Sequence, residues 1–252
     1  MRESEIGPYR PPLRLYVADA LAPSAIIRLG SDQAHYLQHV MRRKPGDAVA
    51  LFNGRDGEWS AIIEKFSKTS AEAKVGERLR AQVAGSDLWL VFAPVKRARL
   101  DFMVQKAVEL GVSAIKPVVT RYTIVERVKE TRLIANAIEA AEQCGRLDVP
   151  KVAEPQPLMR LIDAWPAGRR LYFCDEAGDA QPLAAALNAD APQPAAVLIG
   201  PEGGFHPDER AALRALPAVR PVALGPRILR ADTAAIAALA IWQSLAGDWR
   251  ST

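Results

Sequence analysis

Two rhythms of hydrophobic and polar positions divide the chain. From Arg14 to Arg80 apolar residues come in short runs separated by turn residues. Leu15-Tyr16-Val17, Ala48–Phe52, the alternating Trp59–Ile63 and Ala71–Val75 read as strands. Ser31-Asp32 is placed to cap a helix running through His35, Leu37 and Val40. Pro45-Gly46-Asp47 and the run Asn53 to Gly57 supply tight turns. Short strands, Gly-rich turns and one helix predict a small β-barrel.

From Asp87 onward strands and helices alternate. Leu88–Pro94 is a short apolar run suited to a buried parallel strand, and Ala114–Val119, Leu171–Cys174, Ala195–Ile199 and Val219–Leu224 read as further strands. Leu100–Leu110 and Arg132–Cys144 read as helices, each stopped by a glycine. Further helices are expected at Pro182–Leu187, Pro207–Leu216 and Thr233–Ala246. This order predicts an α/β domain with a mostly parallel sheet covered on both faces. The boundary falls near Arg80–Gly85, giving domains 1–82 and 83–252. The last helix carries Ile236, Leu239, Ala240, Ile241, Trp242 and Leu245 around most of its circumference. It should be buried on nearly all sides, in its own core or between that core and a second subunit.

Composition narrows the classes. The chain has 252 residues, 49% of them hydrophobic and 25% charged, as expected of a globular protein. No apolar stretch approaches the roughly 18 residues of a membrane span, and Met1–Arg10 has no apolar signal region. Two cysteines, Cys144 and Cys174, make neither a disulfide framework nor a four-cysteine zinc site. Cys174, in an apolar strand, reads as a core residue. His35, His39 and His206 lack metal-ligand spacing, and no Ser-His-Asp pattern suggests a hydrolase. A cytoplasmic protein without membrane or metal is expected. The net charge of +4 permits a polyanionic partner, whose contacts would use the local clusters Arg42-Arg43-Lys44 and Lys96-Arg97 with Arg99.

Candidate chemistry lies in two loops that follow late strands. In the first, Leu198-Ile199-Gly200-Pro201-Glu202-Gly203-Gly204-Phe205, three glycines allow close approach of backbone to a ligand. It matches neither G-x-G-x-x-G nor a P-loop. The second, Leu224-Gly225-Pro226-Arg227-Ile228-Leu229-Arg230-Ala231-Asp232-Thr233, joins a glycine, two arginines and a helix start at which Asp232 or Thr233 can cap. In an open parallel sheet, ligands bind beyond the carboxyl ends of strands, where both loops lie.

The pair IGPEGGF and LGPRILRADTA resembles the SPOUT class of S-adenosylmethionine-dependent RNA methyltransferases. More narrowly, it is similar to the family that methylates N3 of a uridine in the decoding region of 16S ribosomal RNA (RsmE-type). The resemblance spans nearly the whole chain. It includes Val40-Met41-Arg42 with Gly46-Asp47, and Lys96 with the run from Asp101 to Val112. It continues through Arg121-Tyr122-Thr123 and the run from Glu139 to Arg146 with Pro150. Asp232 stands where this family usually carries Glu.

The resemblance implies a PUA-like barrel for RNA, then a SPOUT-type α/β domain with a trefoil-knotted, mostly parallel sheet. It also implies a homodimer acting on 16S rRNA within the 30S subunit. Leu198, Gly200, Pro201, Glu202, Gly203, Gly204, Leu224, Gly225, Ile228, Leu229 and Thr233 are then candidates for holding S-adenosylmethionine. Arg230 is the candidate catalytic group, able to stabilise negative charge on the target base. Arg42, Arg43, Lys96, Arg99, Arg121, Glu142, Gln143, Arg146 and Arg227 are candidates for RNA contacts. Another RNA substrate, or a non-catalytic RNA-binding assembly factor, remains open on sequence alone.

Overall fold

Residues 13–124, 128–175 and 179–251 are described by a computed structural model, and the chain separates into two units. The first comprises Met1–Ala84 with Ala141–Val149, the second Gly85–Ala140 with Pro150–Thr252. The stretch Met1–Arg10 lies outside the described residues.

In the first unit, β1 (Arg14–Tyr16), β2 (Ile26–Leu29), β3 (Ala48–Phe52), β4 (Glu58–Phe66) and β5 (Ala71–Arg80) form one sheet in the order β1-β3-β4-β5-β2. Only β1 and β3 pair in parallel. Ala61 and Ile63 on β4, and Ala71, Ala73 and Val75 on β5, turn to one face at alternate positions and are buried with Leu15, Leu29 and Leu51. β2 has the same alternation over only four residues, one of them Arg28, too brief a pattern to mark it in the sequence. α1 (Ser31–His35) runs on as a π-helical turn, Tyr36–Val40. Its N-cap is Gly30 rather than Ser31 or Asp32, without a side-chain bond.

Residues 141–149 join this unit through one buried ion cluster. Arg14 is 4% and Glu58 0% exposed, and they pair directly. Arg80 donates to the same carboxylate at 2.8 Å. The remaining donors go to backbone. Arg14 reaches the carbonyls of Ala141 (2.7 Å), Glu142 (2.9 Å) and Arg146, and Arg80 that of Gly145 (2.8 Å). The Arg14 guanidinium also lies 4.4 Å from the Phe52 ring centre. Buried charge is tolerated only when paired and hydrogen-bonded, and this cluster meets both conditions.

The second unit follows the alternating order. Its first half comprises β6 (Leu88–Phe92), α2 (Arg97–Glu109), β7 (Ala114–Val119), α3 (Glu130–Cys144), β8 (Lys151–Val152), β9 (Gln156–Pro157) and α4 (Leu158–Asp163). β10 (Arg170–Cys174), β11 (Gln181–Pro182), α5 (Leu183–Ala189), β12 (Ala195–Ile199), α6 (Pro207–Ala215), β13 (Val219–Ala223) and α7 (Ala231–Ala246) complete it. The strands pair in parallel in the order β11-β13-β10-β12-β6-β7-β8, with β9 added beside β7. β12 is buried at every position, as a central parallel strand should be.

α7 begins two residues earlier than its apolar pattern indicated. Arg230 is the N-cap, so Asp232 sits inside the first turn and Thr233 faces solvent. Within this chain α7 is buried along Ala231, Ala235, Ala238, Leu239, Trp242 and Gln243, while Ile236, Ile241 and Leu245 stay partly exposed. Gln243 is fully buried; its amide donates to the Leu110 carbonyl at 2.7 Å and accepts from the Asp248 N–H at 3.1 Å. This bond requires Gly111. Its φ of +77° is left-handed, and a Cβ there would lie 2.5 Å from the Gln243 amide nitrogen. Gly111→Ala is expected to destabilise the protein by about 1–3 kcal/mol, read as a lower urea midpoint. An unchanged midpoint would show that the helix end relaxes freely.

Candidate active site

Parallel pairing places the carboxyl ends of β12, β10 and β13 on one edge, with β10 in the middle. The loops leaving β12 and β13 therefore flank the end of β10, and the two together enclose a cavity of about 730 Å³. That volume is in the usual range for small-molecule sites.

The first loop is shaped by close packing. A Cβ on Gly200 would meet the Phe205 ring at 2.4 Å, so glycine lets this ring fold back under the strand end. Phe205 in turn packs edge-on against Phe173 of β10, with ring centres 4.9 Å apart. Gly204 has φ +70° and closes a turn, its N–H donating to the Pro201 carbonyl at 2.9 Å. α6 then starts with a capping box. His206 accepts from the Asp208 N–H, and the Glu209 carboxylate accepts from the His206 N–H at 3.1 Å. Glu209, 7% exposed, also accepts from the Arg121 N–H at 3.0 Å, which ties the loop after β7 to this one.

The second loop is more open. Gly225 has φ +114° with nothing within 4 Å of where a Cβ would stand, so conformation rather than space requires glycine. Ile228 is 85% exposed at the cavity wall. Arg230 lines the cavity at the start of α7, where the helix dipole is positive.

β10 contributes the polar end of the cavity, which the loop sequences do not reveal. Asp175 follows β10 and accepts from Arg210 at 2.6 Å and from Arg214 at 2.8 Å. Arg214 also binds Asp179 and holds that carboxyl near a pKa of about 2. Asp175 and Arg210 both line the cavity. Cys174 lines it too, correcting its assignment to the core; burial pushes its thiol up to about 12.

Of the residues expected to hold the cofactor, Gly200, Pro201, Glu202, Gly203, Gly204, Leu224, Gly225, Ile228 and Leu229 wall the cavity. Leu198 does not: the strand alternation turns it into the core, at 0% exposure. Thr233 also falls outside the wall, because α7 starts early. Arg227 and Arg230 line the cavity. Arg99 pairs with Glu202 at 3.5 Å, and Arg121 with Asp208 at 3.0 Å. Lys96 precedes α2 with its side chain exposed. Arg42, Arg43, Glu142, Gln143 and Arg146 belong to the first unit. There Glu142 accepts from the Tyr16 N–H at 2.9 Å, and Arg146, its side chain 11% exposed, pairs with Asp148 at 3.0 Å. Arg146 is thus built into the unit rather than presented to a phosphate; Gln143 is exposed. No helix among the described residues is long and apolar enough to cross a membrane.

Comparison with known proteins gives this site a class. A family model described as an RNA methyltransferase domain matches residues 84–243, and one described as an RNA methyltransferase PUA domain matches residues 29–76. The ribosomal RNA small subunit methyltransferase E of Rickettsia conorii is 32% identical over 90% of this chain and 93% of its own. The crystal structure of the enzyme of that name from Neisseria gonorrhoeae, bound to S-adenosyl methionine, superposes with a TM-score of 0.82 at 30% identity. It covers 94% of this chain and 99% of its own. A methyltransferase of Legionella pneumophila in complex with the same cofactor gives 0.81 at 28% identity, with the same coverage. The fold and site define an S-adenosylmethionine-dependent RNA methyltransferase. Within that class, the chain belongs to the ribosomal RNA small subunit methyltransferase E family.

The cavity suits that cofactor. Backbone loops and the apolar side chains of Ile199, Leu224 and Ile228 wall it, and the Asp175–Arg210 pair supplies a charged end. Gly200→Ala, by forcing Phe205 out of place, is expected to weaken S-adenosylmethionine binding at least about tenfold, or 1.4 kcal/mol, in calorimetry. Wild-type affinity would mean that the ring adapts. Iodoacetamide at pH 8 should alkylate the exposed Cys144 well before the half-buried Cys174, whose thiol stays protonated; equal labelling in a peptide map would contradict the raised pKa of Cys174.

Proposed function

We propose that this protein methylates N3 of a uridine in the decoding region of 16S rRNA, as a homodimer acting on the assembled 30S subunit in the cytoplasm. The observation that carries the proposal is the convergence of both glycine-bearing loops on one cavity in a chain of this family. The knotted path of the second unit is part of the same reading. S-adenosylmethionine supplies a methyl group already activated by a sulfonium.

The chain's own residues then have three tasks. The backbones of Gly200, Glu202, Gly203, Leu224, Ile228 and Leu229 hold an adenine and ribose, with the leucine side chains covering the base. Arg230, at the positive start of α7 and at the cavity wall, stabilises negative charge on O2 or O4 as the uracil N3 proton passes to solvent water. Lys96, Arg99 and Arg227 meet RNA phosphates, Arg99 by exchanging its exposed pairing with Glu202. Arg42, Arg43 and Gln143 serve the RNA from the first unit. The partly exposed apolar residues of α7, Ile236, Ile241 and Leu245, support a second subunit against that helix.

Arg230→Ala should keep the circular dichroism spectrum and cofactor affinity while lowering kcat on unmethylated 30S particles by about 10²–10³-fold. Turnover close to wild type would remove Arg230 from the chemistry. Because N3 lies on the pairing edge, the product base blocks reverse transcription, and the stop maps the site. Methylation of tRNA in preference to 30S particles would move the substrate elsewhere.

A further inference from the structure

We propose that the ring of Tyr122 is a stacking platform for an unpaired nucleobase of the RNA substrate, at the rim of the cofactor cavity. The proposal rests on the chain acting on RNA and adds a recognition residue to that activity. Tyr122 is 43% exposed, yet the loop that carries it is fixed on several sides. Thr120 and Thr123 close it internally: the Thr120 N–H donates to the Thr123 hydroxyl at 2.9 Å, and the Thr123 N–H to the Thr120 carbonyl at 3.1 Å. The Arg121 N–H binds the buried Glu209 carboxylate, anchoring the loop to α6.

The ring's neighbours place it beside the cofactor. A Cβ on Gly203 would stand 3.3 Å from the Tyr122 Cβ, and Gly203 is part of the cavity wall. The His206 ring backs it, with centres 5.8 Å apart and planes at 58°. Arg121, the preceding residue, has its side chain 56% exposed and pairs with Asp208. Leaving an aromatic ring half in water forgoes the stabilisation of burying it. Holding it there with a bonded loop prepares a surface whose ordering cost is already met before a ligand arrives. A flat exposed ring suits an RNA base, because every base has a π-face and unpaired bases are read by stacking on aromatics. A target whose pairing edge reacts must be unpaired, so such bases are present at the site.

Tyr122→Phe and Tyr122→Leu test the platform. Anisotropy with a labelled single-stranded RNA of the substrate sequence reads binding without turnover, and KM on 30S particles reads it with turnover. Leu should weaken RNA binding and raise KM by about 5- to 150-fold, the range of one stacked base, while Phe stays within about threefold of wild type. Cofactor affinity by calorimetry and sedimentation mass should match wild type in both variants. Wild-type RNA affinity in the Leu variant would overturn the proposal, as would a Phe variant as poor as Leu, which would assign the effect to the hydroxyl. Loss of cofactor binding would make Tyr122 a prop for Gly203, and a changed mass would make it a subunit contact; either overturns the proposal. If wild-type protein binds the RNA but leaves 30S particles unmethylated, the proposed reaction fails and the platform stands.

Discussion

The parallel pairing of β12 and β13 on either side of β10 is the constraint on which the site depends. Parallel strands end on a common edge, and neighbours stand about 4.8 Å apart. Loops that leave two strands separated by a third must therefore pass within roughly 10 Å of each other. The space between them is bounded below by the end of the middle strand. That is why Cys174 and Asp175 belong to the cavity although neither lies in a glycine-bearing loop. The glycines refine this arrangement: Gly200 admits Phe205 beneath the first loop, and Gly225 lets the second adopt a conformation closed to other residues.

What could be read in the sequence follows the same division between local and distant causes. Ala48–Phe52 and Ala195–Ile199 are continuous apolar runs with turn residues at both ends, and the structure starts and stops them at those residues. α4 escaped because six residues make less than two turns, too short for a helical period to show. α7 was placed late because its apolar stripe starts inside the first turn, and no capping side chain marks where the backbone turns helical. The two glycine-bearing loops were legible as a pair: either alone suits a structural turn, but two after late strands of one parallel sheet suit a ligand. Asp175 and Arg210 were not, since their pairing depends on strand order and joins residues 35 positions apart. Leu198 opens the first loop motif yet points into the core, because a loop motif does not show on which side of the strand its first residue lies.

Charge serves two ends in this chain. In the first unit it is consumed internally: Arg14, Glu58 and Arg80 form a cluster whose members bind one another and the backbone. Around the cavity some cations are paired but accessible, as with Arg99 and Glu202 or Arg121 and Asp208. Exposed pairs of this kind are worth little in stability, so exchanging one for a phosphate is nearly free of cost to the fold. A modest excess of +4 therefore suffices for a polyanionic substrate, because part of the positive charge is held in reserve by weak partners.

The placement of residues 141–149 bears on how such a protein can have been assembled. The first unit is not a bead at one end of the chain: a nine-residue piece of it is spliced into the middle of the other unit's sequence. Removing everything before Gly85 would leave the carbonyls of Ala141, Glu142, Gly145 and Arg146 without the guanidinium groups that now bind them. Simple end-to-end fusion of a different module would not replace those groups. Because the acceptors are main-chain carbonyls, the side chains of that turn can vary while the hold persists, and it is Arg14 and Arg80 that the attachment cannot spare.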